Sequence, residues 1–343
     1  MKALIYQGKG KKMVEERPKP TIQYQSDAIV KVNKTTICGT DLHILKGDVS
    51  TCTPGRILGH EGIGTVEQIG KNVSSLSEGD QVLISCISAC SKCENCKRGM
   101  YSHCADGGWM LGNTIDGTQA EYVRIHHADT SLYKIPNITD DAFVMLSDIL
   151  PTGFECGVLN GKIQPGSTVA IVGAGPIGLA VLLTAQLYSP SLIIMIDKDK
   201  YRLDIARQLG ATHTLNSNSE NIVDKIMEIT KCGVDTAIEA VGIPDTFVMC
   251  ENIVAPGGII ANIGVHGVEV PLHLERLWSQ NITITTRLVD TITTPTLLKM
   301  VSSKKIDPNA LISHHFNFED IIEAYETFAE ASKTQAIKMI ISM

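Results

Sequence analysis

Residues 168–188 read TVAIVGAGPIGLAVLLTAQLY. An apolar run typical of a buried strand leads directly into three glycines spaced as Gly-x-Gly-x-x-Gly, and an apolar run long enough for a helix follows. This spacing allows a tight turn, a close approach of the backbone to a diphosphate and close packing of the helix on the strand. A glycine turn that binds nothing is the alternative, and the flanking strand and helix argue against it. The stretch therefore predicts the first unit of a dinucleotide-binding Rossmann domain, with the diphosphate at Gly173, Gly175, Pro176, Ile177 and Gly178.

From about residue 155 onward, short apolar runs alternate with amphipathic segments. The apolar runs are STVAIVG, SLIIMID, VDTAIEAV and GGIIANIGV, and the amphipathic segments between them include KYRLDIARQLG and SENIVDKIMEIT. Such alternation is typical of strand–helix–strand units in a parallel sheet that is covered on both faces. We therefore predict an α/β class for the chain, with a doubly wound parallel sheet in this half.

The second apolar run ends at Asp197, nineteen residues after Gly178. A carboxylate at this point can accept hydrogen bonds from both ribose hydroxyls at the adenosine end of NAD, but it repels the 2′-phosphate of NADP. Lys198 and Arg202 lie nearby and offset part of that repulsion. Arg202 either flanks the adenine or belongs to the solvated face of a helix. The pattern predicts NAD as the cofactor.

The first half of the chain consists of short runs separated by turn residues. The runs are KALIYQ, DAIVKVNKTTI, ILGHEGIGTVEQIG, DQVLIS and QAEYVRI. Many short strands at this spacing predict a mainly β domain. The last stretch, from about residue 290, contains two helical segments and ends in the strand-like AIKMIISM, which is able to complete either domain.

Length and composition limit the classes of function. A chain of 343 residues predicts two domains, and 37 acidic against 30 basic residues give a net charge of −7. Because a phosphate-binding surface normally needs a basic excess, we expect a small-molecule partner and no nucleic acid. We also expect no membrane partner, since no window approaches eighteen uncharged apolar residues. The opening residues MKALIYQGKG contain no apolar signal run, which predicts a cytoplasmic location.

Five of the ten cysteines lie between residues 86 and 104. In a reducing cytosol, thiols at this density are more often metal ligands than disulfides. Cys90, Cys93, Cys96 and Cys104 have the spacing C-x2-C-x2-C-x7-C, which suits one tetrahedral zinc and neither of the usual ferredoxin patterns. With four protein ligands the site is closed and therefore structural. Cys86 lies outside the pattern and is interpreted as a buried small residue.

Other potential ligands are scattered through the first half. Cys38 follows a strand in CGTDLH, His60 lies in the loop GHEG, and Asp148 lies in SDILPTG. Taken singly, they are equally well a buried thiol, a loop histidine and a helix cap. Their spacing alone does not decide whether they share a site.

The order of these motifs resembles that of the zinc-dependent alcohol dehydrogenases of the medium-chain dehydrogenase/reductase family. The motifs follow one another in the order found in that family: CGTDLH, GHEGIGTVEQIG, GDQV, the cysteine loop and GAGPIG. The resemblance covers essentially the whole chain. It implies a GroES-like, mainly β catalytic domain in residues 1–153 and a Rossmann domain in residues 154–290. Residues 291–343 would complete the catalytic domain.

The resemblance also implies roles for particular residues. Cys38, His60 and Asp148 match the ligands of a catalytic zinc, which with the cysteine loop makes two zinc ions per chain, and Glu61 matches a glutamate beside that metal. One thiolate, one imidazole and one carboxylate leave a fourth position open for the substrate. Asp148 departs from the cysteine or glutamate of many relatives. Aspartate there resembles both a bacterial branch acting on secondary alcohols and certain formaldehyde dehydrogenases.

The remaining matched positions concern proton transfer and the binding of the substrate and the cofactor. Thr40 would bond the reacting oxygen and pass its proton, by way of the cofactor ribose, toward His43. Trp109 and Leu288 match the substrate pocket, although Trp109 alone reads equally well as a core aromatic residue. The further positions expected to contact the cofactor are Thr152, Leu288 and Lys338.

As a whole, the resemblance implies an NAD-dependent oxidoreductase that interconverts a small secondary or primary alcohol and a ketone or aldehyde. The alternatives are a polyol, threonine or formaldehyde dehydrogenase of the same architecture, or a nucleotide-binding relative without turnover. The last alternative is disfavoured because every matched ligand and relay residue is present. The family also implies a homo-oligomer, with a tetramer favoured over a dimer.

Overall fold

The computed structural model describes residues 1–343, and the chain divides into two compact units. The first unit comprises Met1–Asp148 and Asp290–Met343, and the second comprises Ile149–Val289. The sequence predicts boundaries after residues 153 and 290, whereas the units change over after residues 148 and 289. The first boundary lies earlier because the helical segment from residue 149 onward packs closely on a helix of the second unit, where a Cβ on Gly153 would lie 2.8 Å from the backbone of Ala180.

The second unit contains the predicted parallel sheet, which is confirmed. Its six strands are β8 (Thr168–Val172), β9 (Leu192–Asp197), β10 (His213–Asn216), β11 (Val234–Glu239), β12 (Val254–Asn262) and β13 (Thr283–Thr286). All pairs are parallel, and the order across the sheet is β10-β9-β8-β11-β12-β13. This is the Rossmann order, and it reverses direction between β8 and β11. The carboxyl ends of those two strands are therefore where a ligand is expected.

The helices of the second unit alternate with its strands. They are α4 (Ile149–Thr152), α5 (Pro176–Ala185), α6 (Lys200–Gln208), α7 (Ile222–Thr230), α8 (Pro244–Ile253) and α9 (Leu274–Leu277), with a π-helix at Gly153–Leu159 after α4. The two predicted amphipathic segments form α6 and α7. Each begins at a side chain that caps free backbone N–H groups: Asp199 accepts from Tyr201 N at 2.8 Å, and Asn221 accepts from Asp224 N at 3.3 Å.

The first unit is built around a seven-stranded sheet. Its strands are β3 (Ala28–Thr35), β4 (Gly62–Ile69), β5 (Gln81–Ile84), β6 (Tyr122–Ile125), β7 (Leu132–Lys134), β14 (Ile312–Asn317) and β15 (Lys338–Ser342), and a separate antiparallel pair is formed by β1 (Lys2–Tyr6) and β2 (Lys12–Glu16). The order is β14-β15-β3-β4-β5-β7, and β6 also pairs with β3. The C-terminal strands β14 and β15 thus extend the sheet of the N-terminal segment.

Helices of the first unit are short. They are α1 (Gly39–Lys46), α2 (Glu94–Lys97), α3 (Ala128–Ser131), α10 (Thr294–Ser302), α11 (Ile321–Ala329) and α12 (Ala331–Thr334). On α3, the Asp129 carboxylate accepts hydrogen bonds from the backbone and hydroxyl groups of Ser74 and Ser75, between 2.6 and 3.1 Å. These bonds tie α3 to the turn before β5. In neither unit does a helix combine the length and apolar character that a membrane crossing requires.

Candidate metal centres and nucleotide cleft

Cys38, His60 and Asp148 come together in the first unit although they lie far apart in the sequence. Cys38 ends the segment that joins β3 to α1, His60 lies just before β4, and Asp148 is the last residue of the unit's first segment. Asp148 Oδ2 is 3.6 Å from Cys38 Sγ and 3.5 Å from His60 Nε2. The three side chains are buried. Sheet and helix ends thus gather a thiol, an imidazole and a carboxylate at one place.

The donor atoms fit a tetrahedral metal ion. Together with Glu61, the ligand atoms of these residues all lie within 4.8 Å of one another. Zinc bonds of about 2.0–2.3 Å place tetrahedral ligands about 3.3–3.8 Å apart, so the two distances to Asp148 have the required size. Glu61 Oε2 and His60 Nδ1 are buried without a hydrogen-bond partner. A buried group of anionic donors around one point needs a cation to compensate it.

The anionic neighbours of His60 also favour a positive charge on its ring. Burial opposes the charged imidazolium, but hydrogen bonds to Asp148 and Cys38 outweigh it and raise the pKa of His60 well above its ordinary value. A ligand nitrogen must lose its proton to bind a metal. The same electrostatic demand that favours the imidazolium therefore favours a divalent cation in its place.

Glu61 is held on one side by a lysine from the C-terminal strand. Lys338 Nζ donates to Glu61 Oε1 at 2.6 Å and to the carbonyl of Ile37 at 3.2 Å, and both charged side chains are 1% exposed. Burial disfavours the ammonium, but Glu61 together with Cys38 and Asp148 outweighs it and raises the pKa of Lys338 above its ordinary value. The predicted contact of Lys338 with the cofactor stays a prediction. Its ammonium group bonds to Glu61, because β15 lies beside β3 and the lysine side chain is buried.

Thr40 and His43, the predicted relay residues, lie on α1, the helix that follows the candidate ligand Cys38. The Thr40 hydroxyl is 3.6 Å from Cys38 Sγ, and the His43 ring contacts Asp48 Oδ2 through Nδ1 at 2.9 Å. The helix begins here because the Asp41 carboxylate accepts the backbone N–H of Cys38 at 2.9 Å. Thr40 therefore borders the cluster, whereas His43 lies one turn further on with a ring that is 30% exposed.

Trp109 also borders the cluster. Its ring meets the His60 ring edge to face, with the centroids 6.1 Å apart and an angle of 72° between the planes. This placement suits the predicted role in a substrate pocket and supplies an apolar wall beside the candidate metal ligands. The other predicted contacts belong to the second unit: Thr152 ends α4, and Leu288 is 48% exposed near the end of that unit.

The four cysteines of the loop also meet. Their sulfurs lie within 4.8 Å of one another, with Cys90 and Cys96 4.0 Å apart, and none forms a disulfide. Three of the sulfurs accept hydrogen bonds from backbone N–H groups. The N–H of Cys90 donates to Cys104 Sγ, that of Cys93 to Cys90 Sγ and that of Cys96 to Cys93 Sγ. Hydrogen bonds from the backbone of Ala105 and Cys96 lower the pKa of Cys93 to about 6. Thiolates stabilised in this way, at nearly the separation of about 3.8 Å that zinc imposes, suit a closed metal site.

The glycine turn of the second unit is shaped for a close approach of the backbone. Gly173 has a φ of +106°, which a side chain would strain. A Cβ on Gly178 would lie 1.8 Å from the carbonyl oxygen of Gly173, so only glycine fits. Pro176 occupies the first position of α5, where its missing N–H costs nothing. The turn leaves the first amides of α5 free to face an anion.

A cleft of about 510 Å³ opens beside this turn. The predicted cofactor contacts that line it are Gly173, Gly175, Pro176, Asp197, Lys198 and Arg202. The Asp197 carboxylate accepts the backbone N–H of Ala174 at 2.7 Å and that of Asp199 at 2.9 Å. It thus fixes the glycine turn while keeping further lone pairs toward the cleft. Arg202 Nε is buried without a partner, so this side chain does not belong to a solvated helix face.

Two contacts near Cys38, His60 and Asp148 are not predicted from the sequence. Cys86 is buried as expected, but its thiol lies 3.6 Å from Asp148 Oδ1 and so contacts a candidate ligand. The pairing of Glu61 with Lys338 spans 277 residues of sequence. The only sequence signal for the lysine is a single charge within the apolar strand AIKMIISM, which implies a buried partner.

Comparisons with known proteins agree with this arrangement. The family model described as "Alcohol dehydrogenase GroES-like domain" matches residues 24–137, and the one described as "Zinc-binding dehydrogenase" matches residues 176–303. A zinc dependent alcohol dehydrogenase 2 from Streptococcus pneumonia, solved in its apo form, is 53% identical with a TM-score of 0.95, over 100% of this chain and 98% of that one.

Two further relatives are similar over nearly their whole length. An alcohol dehydrogenase from Thermus sp. ATN1 is 32% identical with a TM-score of 0.91, over 100% of this chain and 99% of that one. An alcohol dehydrogenase from Cupriavidus necator is 34% identical over 96% of this chain and 95% of its own.

A Rossmann domain together with a GroES-like domain that carries a buried thiol–imidazole–carboxylate cluster defines the class of zinc-binding dehydrogenases. Within that class, the chain belongs to the zinc-type alcohol dehydrogenases of the medium-chain dehydrogenase/reductase family, which are oxidoreductases.

Proposed function

We propose that the protein is an NAD-dependent alcohol dehydrogenase that interconverts a small secondary or primary alcohol and the corresponding ketone or aldehyde. The observation that carries this proposal is the buried cluster of Cys38, His60 and Asp148. Three ligands of different type leave the fourth tetrahedral position for a substrate, as catalytic zinc sites require. The four-cysteine loop would hold a second, structural zinc.

The protein's own residues have separate tasks in this reaction. Zinc, when bound, supplies Lewis acidity at the substrate oxygen, and the nicotinamide supplies the hydride acceptor. The Thr40 hydroxyl, next to Cys38, orients the substrate hydroxyl and accepts its proton while giving up its own toward His43. His43 passes the proton to water, since its ring is partly exposed. Trp109 excludes water on one side of the site.

Glu61 is a positioning residue in this proposal. Its carboxylate lies close to the three ligands, yet one oxygen is bonded to Lys338. That bond keeps a negative charge near the metal position without making Glu61 a fourth ligand in the present arrangement. The fourth position therefore stays available for the alcohol.

The choice of NAD over NADP rests on Asp197. Its carboxylate lines the cleft at the end of β9, where the adenosine ribose of a bound dinucleotide is expected. A 2′-phosphate there would meet this charge, and Lys198 and Arg202 would offset the repulsion only in part. The repulsion should be worth on the order of 1–3 kcal/mol in an open cleft, or about ten- to a hundredfold in relative specificity.

A substrate and cofactor screen tests the proposal. Primary alcohols, secondary alcohols, polyols, threonine and formaldehyde are supplied with NAD or NADP to the metal-loaded enzyme, and kcat/KM is measured for each pair. We expect the highest value for a simple alcohol with NAD. No turnover of any simple alcohol would refute the proposed substrate class, and a highest value for a polyol, threonine or formaldehyde would assign the enzyme to one of the alternative dehydrogenases.

The cofactor assignment is tested with Asp197→Gly and a matched control, Asp199→Asn. Asp197→Gly should raise the ratio of kcat/KM for NADP to that for NAD by about ten- to a hundredfold. Asp199→Asn removes the same charge two residues away and keeps a side chain that can cap α6, so its ratio should match that of the parent. Equal use of both cofactors by the parent would refute the role of Asp197.

We also propose that the chain forms a homo-oligomer, with a tetramer favoured over a dimer by the family resemblance. In the second unit, β13 is an edge strand of the parallel sheet, and Trp278 shortly before it is 78% exposed. An uncovered edge strand leaves backbone hydrogen-bonding groups unpaired, and an exposed tryptophan leaves apolar surface in water. Both features suit a protein interface. Light scattering coupled to size-exclusion chromatography decides the stoichiometry, and a monomer at micromolar concentration would refute the proposal.

A further inference from the structure

A third group of potential metal ligands lies in the first unit and shares no side chain with the two clusters described above. Asp106 follows the last cysteine of the metal loop by two residues, and His126 and His127 form the turn between β6 and α3. One ligand atom from each of the three side chains lies within 4.8 Å of the other two. Neither the sequence motifs nor the proposed reaction gives these residues a role.

The distances within this group suit a metal ion. His126 Nε2 is 3.6 Å from Asp106 Oδ1, and His127 Nε2 is 3.1 Å from Asp106 Oδ2. His127 Nε2 also lies 2.8 Å from the Asp106 carbonyl oxygen. Bonds of about 2.0–2.2 Å to nitrogen and oxygen place tetrahedral ligands about 3.3–3.5 Å apart. An ion that replaces the proton on His127 Nε2 would therefore meet three donors without a large rearrangement.

A buried carboxylate behind His126 prepares that ring for coordination. His126 Nδ1 lies 3.1 Å from Asp27 Oδ1, and Asp27 is completely buried. The other oxygen of Asp27 is engaged by Arg124 at 3.0 Å and by the backbone N–H of Tyr24 at 2.9 Å. A carboxylate held in this way keeps the proton on Nδ1 and directs Nε2 toward Asp106. This carboxylate–histidine–metal arrangement is the usual support of histidine ligands in metal sites.

Solvent reaches the group mainly through Asp106. The side chain of Asp106 is 67% exposed, whereas those of His126 and His127 are 6% and 12% exposed. Two nearly buried imidazoles thus present their nitrogens to an accessible carboxylate. An ion is able to enter and leave, and its remaining positions would be filled by water.

We propose that Asp106, His126 and His127 form a third metal site, for a divalent transition-metal ion such as zinc. Two imidazoles and one carboxylate suit zinc, cobalt and nickel rather than calcium or magnesium, which prefer oxygen donors only. With three protein ligands instead of four thiolates, it binds more weakly than the cysteine loop. Because Asp106 lies just after Cys104, an ion here ties the end of that loop to the turn between β6 and α3.

The test measures metal binding by the complete protein, with its resident metals in place and without an affinity tag. Zinc chloride is titrated into the parent and into Asp106→Asn, His127→Asn and His103→Asn, by calorimetry and by elemental analysis after dialysis. Asparagine suits position 127 because the residue has a left-handed backbone, with a φ of 51°. His103→Asn is the matched control, since it removes an exposed histidine from the cysteine loop and leaves the group intact.

We expect the parent and His103→Asn to bind one more zinc equivalent than either test variant, with binding at least about tenfold weaker in Asp106→Asn and His127→Asn. Retention of the resident metals by the variants shows that they are folded. Because the measured quantity is a difference from the parent, it does not depend on how many metals are resident. Cobalt provides a second measurement, since cobalt in this site lacks the thiolate-to-metal absorption of the cysteine loop. The proposal is overturned if the parent binds no additional equivalent at millimolar zinc, or if either test variant binds it as tightly as the parent.

Discussion

The buried pair of Glu61 and Lys338 gives the sharpest prediction about stability. Both side chains are 1% exposed, and their charged atoms are 2.6 Å apart. Glu61 Oε2 has no other partner, and Lys338 has only the Ile37 carbonyl besides. In Lys338→Met the carboxylate therefore loses its only hydrogen-bonded counter-charge in a place that water does not reach, and in Glu61→Gln the ammonium loses its own.

The magnitude follows from this burial. Removing one partner of a buried ion pair costs about 3–5 kcal/mol, because the remaining charge is uncompensated. Replacing both partners by neutral side chains of similar size removes the problem, so Glu61→Gln combined with Lys338→Met should lie within about 1–2 kcal/mol of the parent. The two substitutions should thus be strongly non-additive, with an interaction energy of about 4 kcal/mol or more.

The two tryptophans of the chain make the assay specific to one unit. Trp109 lies in the first unit beside His60, and Trp278 lies in the second unit and is 78% exposed. In a Trp278→Phe background, tryptophan fluorescence reports the unfolding of the first unit alone. With a urea dependence of about 2–3 kcal/mol per molar, each single variant should unfold at about 1–2 M less urea than its background. The double variant should recover most of that difference.

Additive effects would refute the reasoning. If the double variant were as unstable as the sum of the two single variants, each side chain would act through its packing rather than through the shared charge. Single variants that unfold at the same urea concentration as the background would show that water reaches the pair.

The remaining predictions concern the metals, the relay and one surface contact. Cys93→Ser should lose one tightly bound zinc and lower stability, whereas His60→Ala should abolish turnover with the fold intact; a single zinc in fully active protein would contradict both. Thr40→Ala should lose most alcohol oxidation and Thr40→Ser should retain much of it, while His43→Gln should be most impaired at low pH; a wild-type rate for Thr40→Ala across the pH range would exclude the relay. Burial tends to raise the pKa of Asp129, but hydrogen bonds from two serines lower it overall. Because this side chain is exposed, solvent screening keeps its contribution below about 1 kcal/mol, and that contribution should be present above pH 4 and vanish as the pH falls below that value. Asp129→Asn should accordingly unfold more readily than the parent at pH 7 and equally readily near pH 2, as measured by thermal denaturation.

Local spacing determined much of this protein. The Gly-x-Gly-x-x-Gly turn, the alternation of apolar and amphipathic segments and the carboxylate at Asp197 specify a Rossmann unit, because each depends on residues only a few positions apart. The same holds for the cysteine loop, whose four sulfurs lie within fifteen residues of sequence and meet through backbone N–H bonds inside one loop. In these places the spacing of the residues is enough to predict the local structure.

The tertiary structure decided the rest. Cys38 and Asp148 are 110 residues apart, and residue chemistry alone left it open whether they share a site; the resemblance joined them, and the sheet brings them to 3.6 Å. Lys338 bonds to Glu61, 277 residues away, a pairing that no local pattern predicts. The group of Asp106, His126 and His127 has no spacing pattern at all, since its two parts come from different loops. Contacts of this kind depend on which strands become neighbours, and that is settled by burial over the whole unit rather than by any short stretch of the chain.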